Sequence, residues 1–370
     1  MCRVGLLTAL GVLLIGVVGE AADKPATGKP KVEVVFCLDT TGSMGGLIEG
    51  AKAKIWSLCN QIVSGKPTPD LRVGLVAYRD KGDAYVTQIY DLSDDLDGIH
   101  AKLKTFTAGG GGDEPEHVNQ ALHDAVHKIK WSDDKRTLKI IFLVGDAAPH
   151  MDYTDDVKYP QTCQKAVEKG IIINAIQCGG SASCAAAWKD IASKAEGSYA
   201  AIPQSGGVVA IATPFDAELA KLNRELDSTT LAYGGESIRK RAAEALSESR
   251  ALAPAAAADR AAFAGRTGKT VKGDLLDALK RKEVTLQGLK ETELPEELRK
   301  LKTLEQRQEY LNKIEKQREE LSKKAVELDK KRAEYIAQEL KKKGKDAKDS
   351  FDTSVLDMLR KQAKKFGIAY

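Results

Sequence analysis

Two rhythms of apolar residues alternate along the first 205 positions. Apolar runs of strand length occur at Val34–Leu38, Arg72–Tyr78, Leu138–Val144, Ile171–Gln177 and Gly197–Ile202. Between them, apolar residues recur three and four apart. Leu47, Ile48, Ala51, Ile55, Leu58, Cys59 and Ile62 share one face of a helix predicted from Gly45 to about Ser64. Ser93-Asp94-Asp95 supplies the cap for a helix from Leu96 to about Phe106. Further helices are predicted up to about Lys130, from Asp155 to Lys169 and from Ala185 to Ala195. The segment Ala84–Tyr90 alternates in polarity behind a short Gly82 turn, and reads as a hairpin partner on a sheet edge. Runs that stay apolar on both faces belong to parallel strands covered by helices on both sides. The prediction is an α/β domain with a mostly parallel sheet and one antiparallel edge strand. In such sheets ligands bind beyond the carboxyl ends of the strands.

Past Gly206 the pattern becomes wholly helical. Pro214–Leu226 and Ile238–Phe263 read as helices, the second interrupted by Pro254, with an irregular connection at Thr229–Ser237. Glu296–Lys343 is dense in Lys, Arg and Glu. A heptad runs through it with Leu311, Arg318, Ala325 and Arg332 at one seam position and Ile314, Leu321, Leu328 and Tyr335 at the other. Either a coiled coil, which would make a helix-mediated oligomer, or a solvated helix or helical hairpin fits this pattern. Phe351–Phe366 is the last helix candidate. The expected division is a signal peptide at 1–22, a polar linker at 23–30, the α/β domain at 31–206 and a helical region at 207–370, with a coiled-coil candidate at about 296–343.

The signal peptide is read from Arg3, the apolar run Val4–Val18 and the small residues around Ala21-Ala22. The run is short for a membrane span, so no integral span is expected after cleavage, and the protein is expected to be secreted or held in the periplasm or cell envelope. Five cysteines would remain, at positions 37, 59, 163, 178 and 184. Cys37 and Cys59 fall on apolar faces, whereas Cys178 and Cys184 flank a Gly-Gly-Ser turn and could pair. The net charge of +4 comes from interleaved acids and bases without aromatic partners, which does not indicate nucleic acid.

Candidate chemistry sits at the end of the first apolar run. Asp39, Thr41 and Ser43 are two residues apart, so one loop can aim three oxygens the same way. Hard oxygen donors suit Mg²⁺ or Ca²⁺, or Mn²⁺ in their place. The same residues could also simply cap the following helix. Two more acidic positions stand at the same edge of the predicted sheet. One is Glu116 in Gly111-Gly112-Asp113-Glu114-Pro115-Glu116, and the other is Asp146, directly after the Leu138–Val144 strand.

These three segments, in this order, resemble von Willebrand factor type A domains. Asp39-x-Thr41-x-Ser43 is similar to the D-x-S-x-S motif of that family's metal-ion-dependent adhesion site, with Thr for the first Ser. Gly111–Glu116 resembles the specificity-determining loop of integrin β subunits, and Asp146 stands where the family has its last site Asp, in Gly-Asp-Ala rather than Thr-Asp-Gly. The resemblance covers about residues 31–205 and implies a Rossmann-like, doubly wound sheet. It implies a cation held by Ser43 with Thr41 or Glu116, with Asp39 and Asp146 acting through water, and one position left open for a carboxylate of a protein partner. It also offers Asp113 as a ligand of an adjacent site, a turn-forming Asp being the alternative. Keeping some carboxylates one water away would leave the cation able to accept an acidic ligand.

Other signals point less clearly to chemistry. His123 and His127 are spaced like two zinc ligands, but they fall on the polar side of their helix. Gly265–Thr270 resembles a phosphate-binding loop, yet Phe263 stands where its first Gly is needed. The expectation is therefore an exported, non-enzymatic, cation-dependent protein-binding or adhesion module. The alternatives are a scaffold acting through its helical half and a metal-dependent hydrolase.

Overall fold

A computed structural model describes residues 28–112, 114–207, 211–343 and 351–370. The signal peptide, most of the linker and Asp113 lie outside the described residues. Six strands form one sheet: β1 (Lys31–Asp39), β2 (Asp70–Tyr78), β3 (Thr87–Ser93), β4 (Thr137–Gly145), β5 (Ile171–Cys178) and β6 (Tyr199–Ile202). Their order is β3-β2-β1-β4-β5-β6. Every pairing is parallel except that of β2 with the edge strand β3. The predicted mostly parallel α/β sheet with one antiparallel edge is therefore the observed fold, and a helical C-terminal region comes after it.

Alternation along β1 divides the core between two layers. Val34, Phe36 and Leu38 face a layer that contains α1 (Gly45–Ile62), α2 (Leu96–Lys104) and α12 (Phe351–Ala363). Val35 and Cys37 face α3 (Val118–His127), α4 (Tyr159–Glu168) and α5 (Ala182–Lys194). The same division rules out the Cys178–Cys184 pairing. Cys178 belongs to the first layer and Cys184 to the second, and all five described cysteines are buried and free.

Two element boundaries differ from expectation for tertiary reasons. β3 starts at Thr87 rather than Ala84 because Tyr85 is drawn out of the strand. Its hydroxyl lies 2.7 Å from Thr40 Oγ1, and the Arg79 guanidinium lies over its ring. α4 starts at Tyr159 rather than Asp155 because Asp156 accepts from the buried Asn119 Nδ2 at 3.0 Å, while Asn119 Oδ1 takes the Tyr159 amide.

The helical region contains α6 (Asp216–Ser228), α7 (Glu236–Arg250), α8 (Pro254–Thr267), α9 (Leu275–Lys280), α10 (Glu296–Arg299) and the 40-residue α11 (Leu304–Lys343). The heptad seam of α11 is used inside the chain. Ala325 and Leu321 pack on Leu219, Leu222 and Leu226 of α6 and on Ala258, Ala261 and Ala264 of α8. Arg318 and Arg332, the seam positions least suited to a coiled coil, reach buried carboxylates. Arg318 pairs with Asp274 and donates to Thr229, and Arg332 donates to Asp216 and Asp259 at 2.7 Å each. A coiled coil through this seam would have to displace these contacts. The apparent phosphate loop lies partly in α8, where Gly265 serves a close helix crossing. A methyl group there would lie 2.9 Å from the Ser322 carbonyl oxygen of α11.

Candidate functional site

The site lies beyond the carboxyl ends of β1 and β4, where the β1 run must turn into α1. Asp39 ends β1 and is fully buried. Its Oδ1 accepts from the Thr41 amide at 2.8 Å and from Thr41 Oγ1 at 2.7 Å, which fixes Thr41 as the N-cap of the Gly42–Met44 turn. Thr41 Oγ1 is 3.4 Å from Ser43 Oγ, and Ser43 is exposed. The Asp-x-Thr-x-Ser spacing thus puts a buried carboxylate behind two hydroxyls, the outer one open to solvent.

β4 runs parallel to β1 with Leu38 opposite Val144, which sets Asp146 beside Asp39. Gly145 allows the close approach, since a methyl group there would lie 2.4 Å from Tyr78 Oη and 2.9 Å from Asp39 Cβ. Glu116 reaches the same edge through the chain after β4. Its amide donates to the Ala148 carbonyl at 2.9 Å, and its carbonyl accepts from the His150 amide at 3.1 Å. A methyl group built on Gly111 would meet Glu116 Oε1 at 3.3 Å and Thr41 Cβ at 3.4 Å, so Glu116 and Thr41 face a common space beside Gly111. Backbone bonds from the Gly42 amide to Gly110 and from the Gly109 amide to Thr40 clamp the glycine loop against the turn.

Two carboxylate oxygens in this space have no hydrogen-bond partner, Asp39 Oδ2 and Glu116 Oε2. A buried acceptor without a partner costs free energy unless a proton or a cation satisfies it. Burial pushes Asp39 up from 3.8 to about 7 against the pull of its Thr41 hydrogen bonds, while the Asp146 charge adds to the rise and the Asp146 backbone opposes it. Glu116 is pushed from 4.5 to about 9 by burial and by the charges of Asp39, Asp80, Asp83 and Asp146. Both carboxyls therefore hold protons more tightly folded than unfolded. The stability they contribute is present below about pH 4 and is lost as pH rises through 7 and 9. Asp39 alone carries about 4 kcal/mol of this effect. With chelator present, the melting temperature is expected to fall between pH 5 and pH 9 in calorimetry. A melting temperature that rose across that interval would contradict these carboxyl environments.

Sequence reasoning missed several residues here. Gln204 Nε2 donates to Asp146 Oδ2 at 2.6 Å and holds that half-buried carboxylate in place. Asp83 accepts from the Gly111 amide at 3.1 Å, and Arg79 donates to the carbonyls of Thr40 and Thr107. Arg79, Asp80 and Asp83 directly follow β2, so the rule that ligands bind beyond strand carboxyl ends would have pointed to them. Asp80 belongs to a second buried polar group with Tyr153, whose hydroxyl donates to Asp80 Oδ2 at 2.8 Å, and with His150, whose Nε2 is 3.4 Å away. Asp124, between the two α3 histidines, is fully buried, while His123 and His127 stack at 4.6 Å on the polar side. Among the described residues no group of three or more His, Cys, Asp or Glu side chains is gathered closely enough to hold a metal ion by itself. A cation here would need the Thr41 and Ser43 hydroxyls as well.

Residues 33–213 match the family model described as von Willebrand factor A domain. Human von Willebrand factor A domain-containing protein 7 is 36% identical over 121 residues, 32% of this chain and 12% of that protein, and its rat counterpart matches equally. The chain therefore spans about an eighth of the length of these relatives. Among solved structures, the conserved hypothetical protein BatB from Bacteroides thetaiotaomicron is 14% identical. That alignment covers 59% of this chain and 98% of BatB, with a TM-score of 0.36. Proximal thread matrix protein 1 from the mussel byssus, with a zinc-occupied MIDAS motif, is 16% identical over 47% of this chain and 42% of its own, also with a TM-score of 0.36. The six-stranded, mostly parallel sheet is the fold of that family, and the match to it spans residues 33–213, just under half of the chain.

Proposed function

We propose that this domain is an exported, non-enzymatic binding module that presents a divalent cation to an acidic residue of a protein partner. The observation that carries the reading is the pair of unpartnered buried oxygens, Asp39 Oδ2 and Glu116 Oε2, beside the Thr41 and Ser43 hydroxyls. Donors that are all oxygen suit Mg²⁺, Ca²⁺ or Mn²⁺ rather than a soft metal. Ser43, with Thr41 or Glu116, would hold the ion directly, and Asp39 and Asp146 would act through water. When bound, the ion supplies a Lewis-acidic position open to a carboxylate. The chain's own residues keep that position shaped: Thr41 is fixed by Asp39, Asp146 by Gln204, and the glycine loop by Asp83 and Thr40.

The surroundings favour a protein ligand over a small anion. Two exposed large apolar side chains, Met151 and Val157, sit on the loop that continues from Glu116's partners Ala148 and His150. Asn119 braces that loop, donating to the His150 carbonyl at 2.6 Å. A loop braced by Asn119 that carries exposed Met151 next to His150, a backbone partner of Glu116, offers a protein ligand apolar contact that a small anion would not use.

Affinity capture from the native envelope or medium, with Mg²⁺ or with EDTA, tests the reading. A partner retained in Mg²⁺ and released by EDTA is expected. Met151→Asp should weaken capture by about tenfold or more without changing ion binding. Capture that persists in EDTA would count against the proposal.

A further inference from the structure

The chain returns to the sheet domain after the helical region, and its contacts show where it re-enters. Beyond β6, Gln204 holds Asp146, and a methyl group on Gly46 would lie 3.2 Å from Ser205 Cα. The next residue, Gly206, accepts through its carbonyl from the Phe351 amide at 3.0 Å. Phe351 opens α12, so one backbone hydrogen bond joins positions that stand on either side of the whole helical region.

From Phe351 onward the chain packs on the sheet. Phe351, Val355, Leu356, Met358, Leu359, Ala363 and Ile368 are buried in the same cluster as Val34, Phe36 and Phe142. The Phe36 and Phe351 rings lie 6.2 Å apart. Asn174 of β5 and Gln362 of α12 exchange two buried side-chain hydrogen bonds, at 3.1 and 2.7 Å. Ala369 pairs with Lys66 through two backbone bonds, and Tyr370 Oη donates to the Ile62 carbonyl at 2.8 Å. The helical region has apolar clusters of its own. One joins α6, α8 and α11. The other joins Leu231, Leu275, Leu276, Leu286, Leu294, Leu298 and Leu311. Neither includes a residue of α12. The two parts meet through polar contacts, with Arg260 on Asp97, Lys269 and Arg281 on Asp94, and Arg266 on Asn60, and through an apolar patch of α8 and the turn before it. In that patch Phe263 is buried in the sheet's cluster, its ring centroid 5.9 Å from that of Trp56, and Leu252 and Ala256 pack on the same cluster.

We infer that the chain between Gly206 and Phe351 is an inserted arm, carried between the last strand and the last helix of the A domain, with both roots at the rim that holds Asp146. This replaces the expected appended tail at 207–370. The last twenty residues complete the A domain, and the arm folds around its own two cores. A partner that grips the arm would bear on Gly206 and Phe351 together, next to the residue that positions Asp146.

Hydrogen exchange on the full chain in a urea series tests the inference, since exchange resolves separately opening units. Peptides from 351–370 are expected to lose protection at the same urea concentration as those from β1 and β4, and apart from those of α11. In a second arm, Leu298→Asp should strip protection from residues 231–311 at least tenfold while leaving β1 and 351–370 protected, and Leu359→Asp should expose β1, β4 and α12 together. Exchange of 351–370 in step with α11 would overturn the inference. So would loss of protection in β1 and α12 caused by Leu298→Asp.

Discussion

Replacing Asp39 and Glu116 together by alanine is expected to abolish the stabilisation that millimolar Mg²⁺ gives the wild-type protein. An ion bound only by the folded state raises stability by about 2.7 kcal/mol when its concentration is a hundred times its dissociation constant. Removing the two carboxylates whose oxygens lack partners, Asp39 Oδ2 and Glu116 Oε2, should take all of that increment away. The ion-free double variant should nonetheless remain folded at pH 8. Wild-type Asp39 is fully buried with a carboxyl raised to about 7, so at that pH it carries a charge its surroundings disfavour. Losing that charge offsets much of the cost of the small cavity and of the freed Thr41 cap. Differential scanning calorimetry with Mg²⁺ or EDTA reads both quantities. A double variant that gained as much from Mg²⁺ as wild type would move the cation elsewhere.

Arg318→Ala is expected to destabilise the helical arm by about 3–5 kcal/mol, the cost of stranding a buried charge. Asp274 is 2% exposed and binds both guanidinium nitrogens of Arg318, while its oxygens also take the Leu231 and Asp277 amides. Losing the arginine leaves that carboxylate buried with two amide donors and no counter-charge. Arg318 also satisfies Thr229 through its hydroxyl and carbonyl oxygen. Arg318→Met, which keeps most of the volume, should lose nearly as much, because charge rather than bulk is at stake. Urea titration followed by far-ultraviolet circular dichroism measures the change. A loss below about 1 kcal/mol for both variants would mean that the seam arginine is dispensable, contrary to the ion-pair account.

Much of the fold was legible because the central strands are buried on both faces. Val34–Leu38, Ile140–Val144 and Ile171–Ile173 are apolar on successive residues, as strands of a parallel sheet between helix layers are. The acidic positions at the rim were legible for the related reason that Asp39 and Asp146 interrupt apolar runs where strands end. Features set by distant partners were less visible. Tyr85 leaves the β3 pattern because Thr40 and Arg79 hold it, and the start of α4 is set by Asn119, forty residues earlier. Arg318 and Arg332 looked like flaws in a heptad because their carboxylate partners lie on other helices and loops, at Asp274, Asp216 and Asp259. Gln204 carries no motif at all, and only its 2.6 Å contact with Asp146 gives it a place at the rim. The re-entry of the chain at Phe351 was hidden because an amphipathic helix does not state which core it joins.

Oxygens from Asp39, Thr41, Ser43, Glu116 and Asp146 must serve one ion if the rim is a cation site. The most direct measurement is a titration of the full chain with Mn²⁺ at pH 8, counting bound ions by electron paramagnetic resonance, with the Asp39→Ala/Glu116→Ala variant alongside. One Mn²⁺ per chain in the wild type, displaced by excess Mg²⁺ and absent from the variant, is the predicted result. No bound ion in the wild type, or the same count in both proteins, would contradict it.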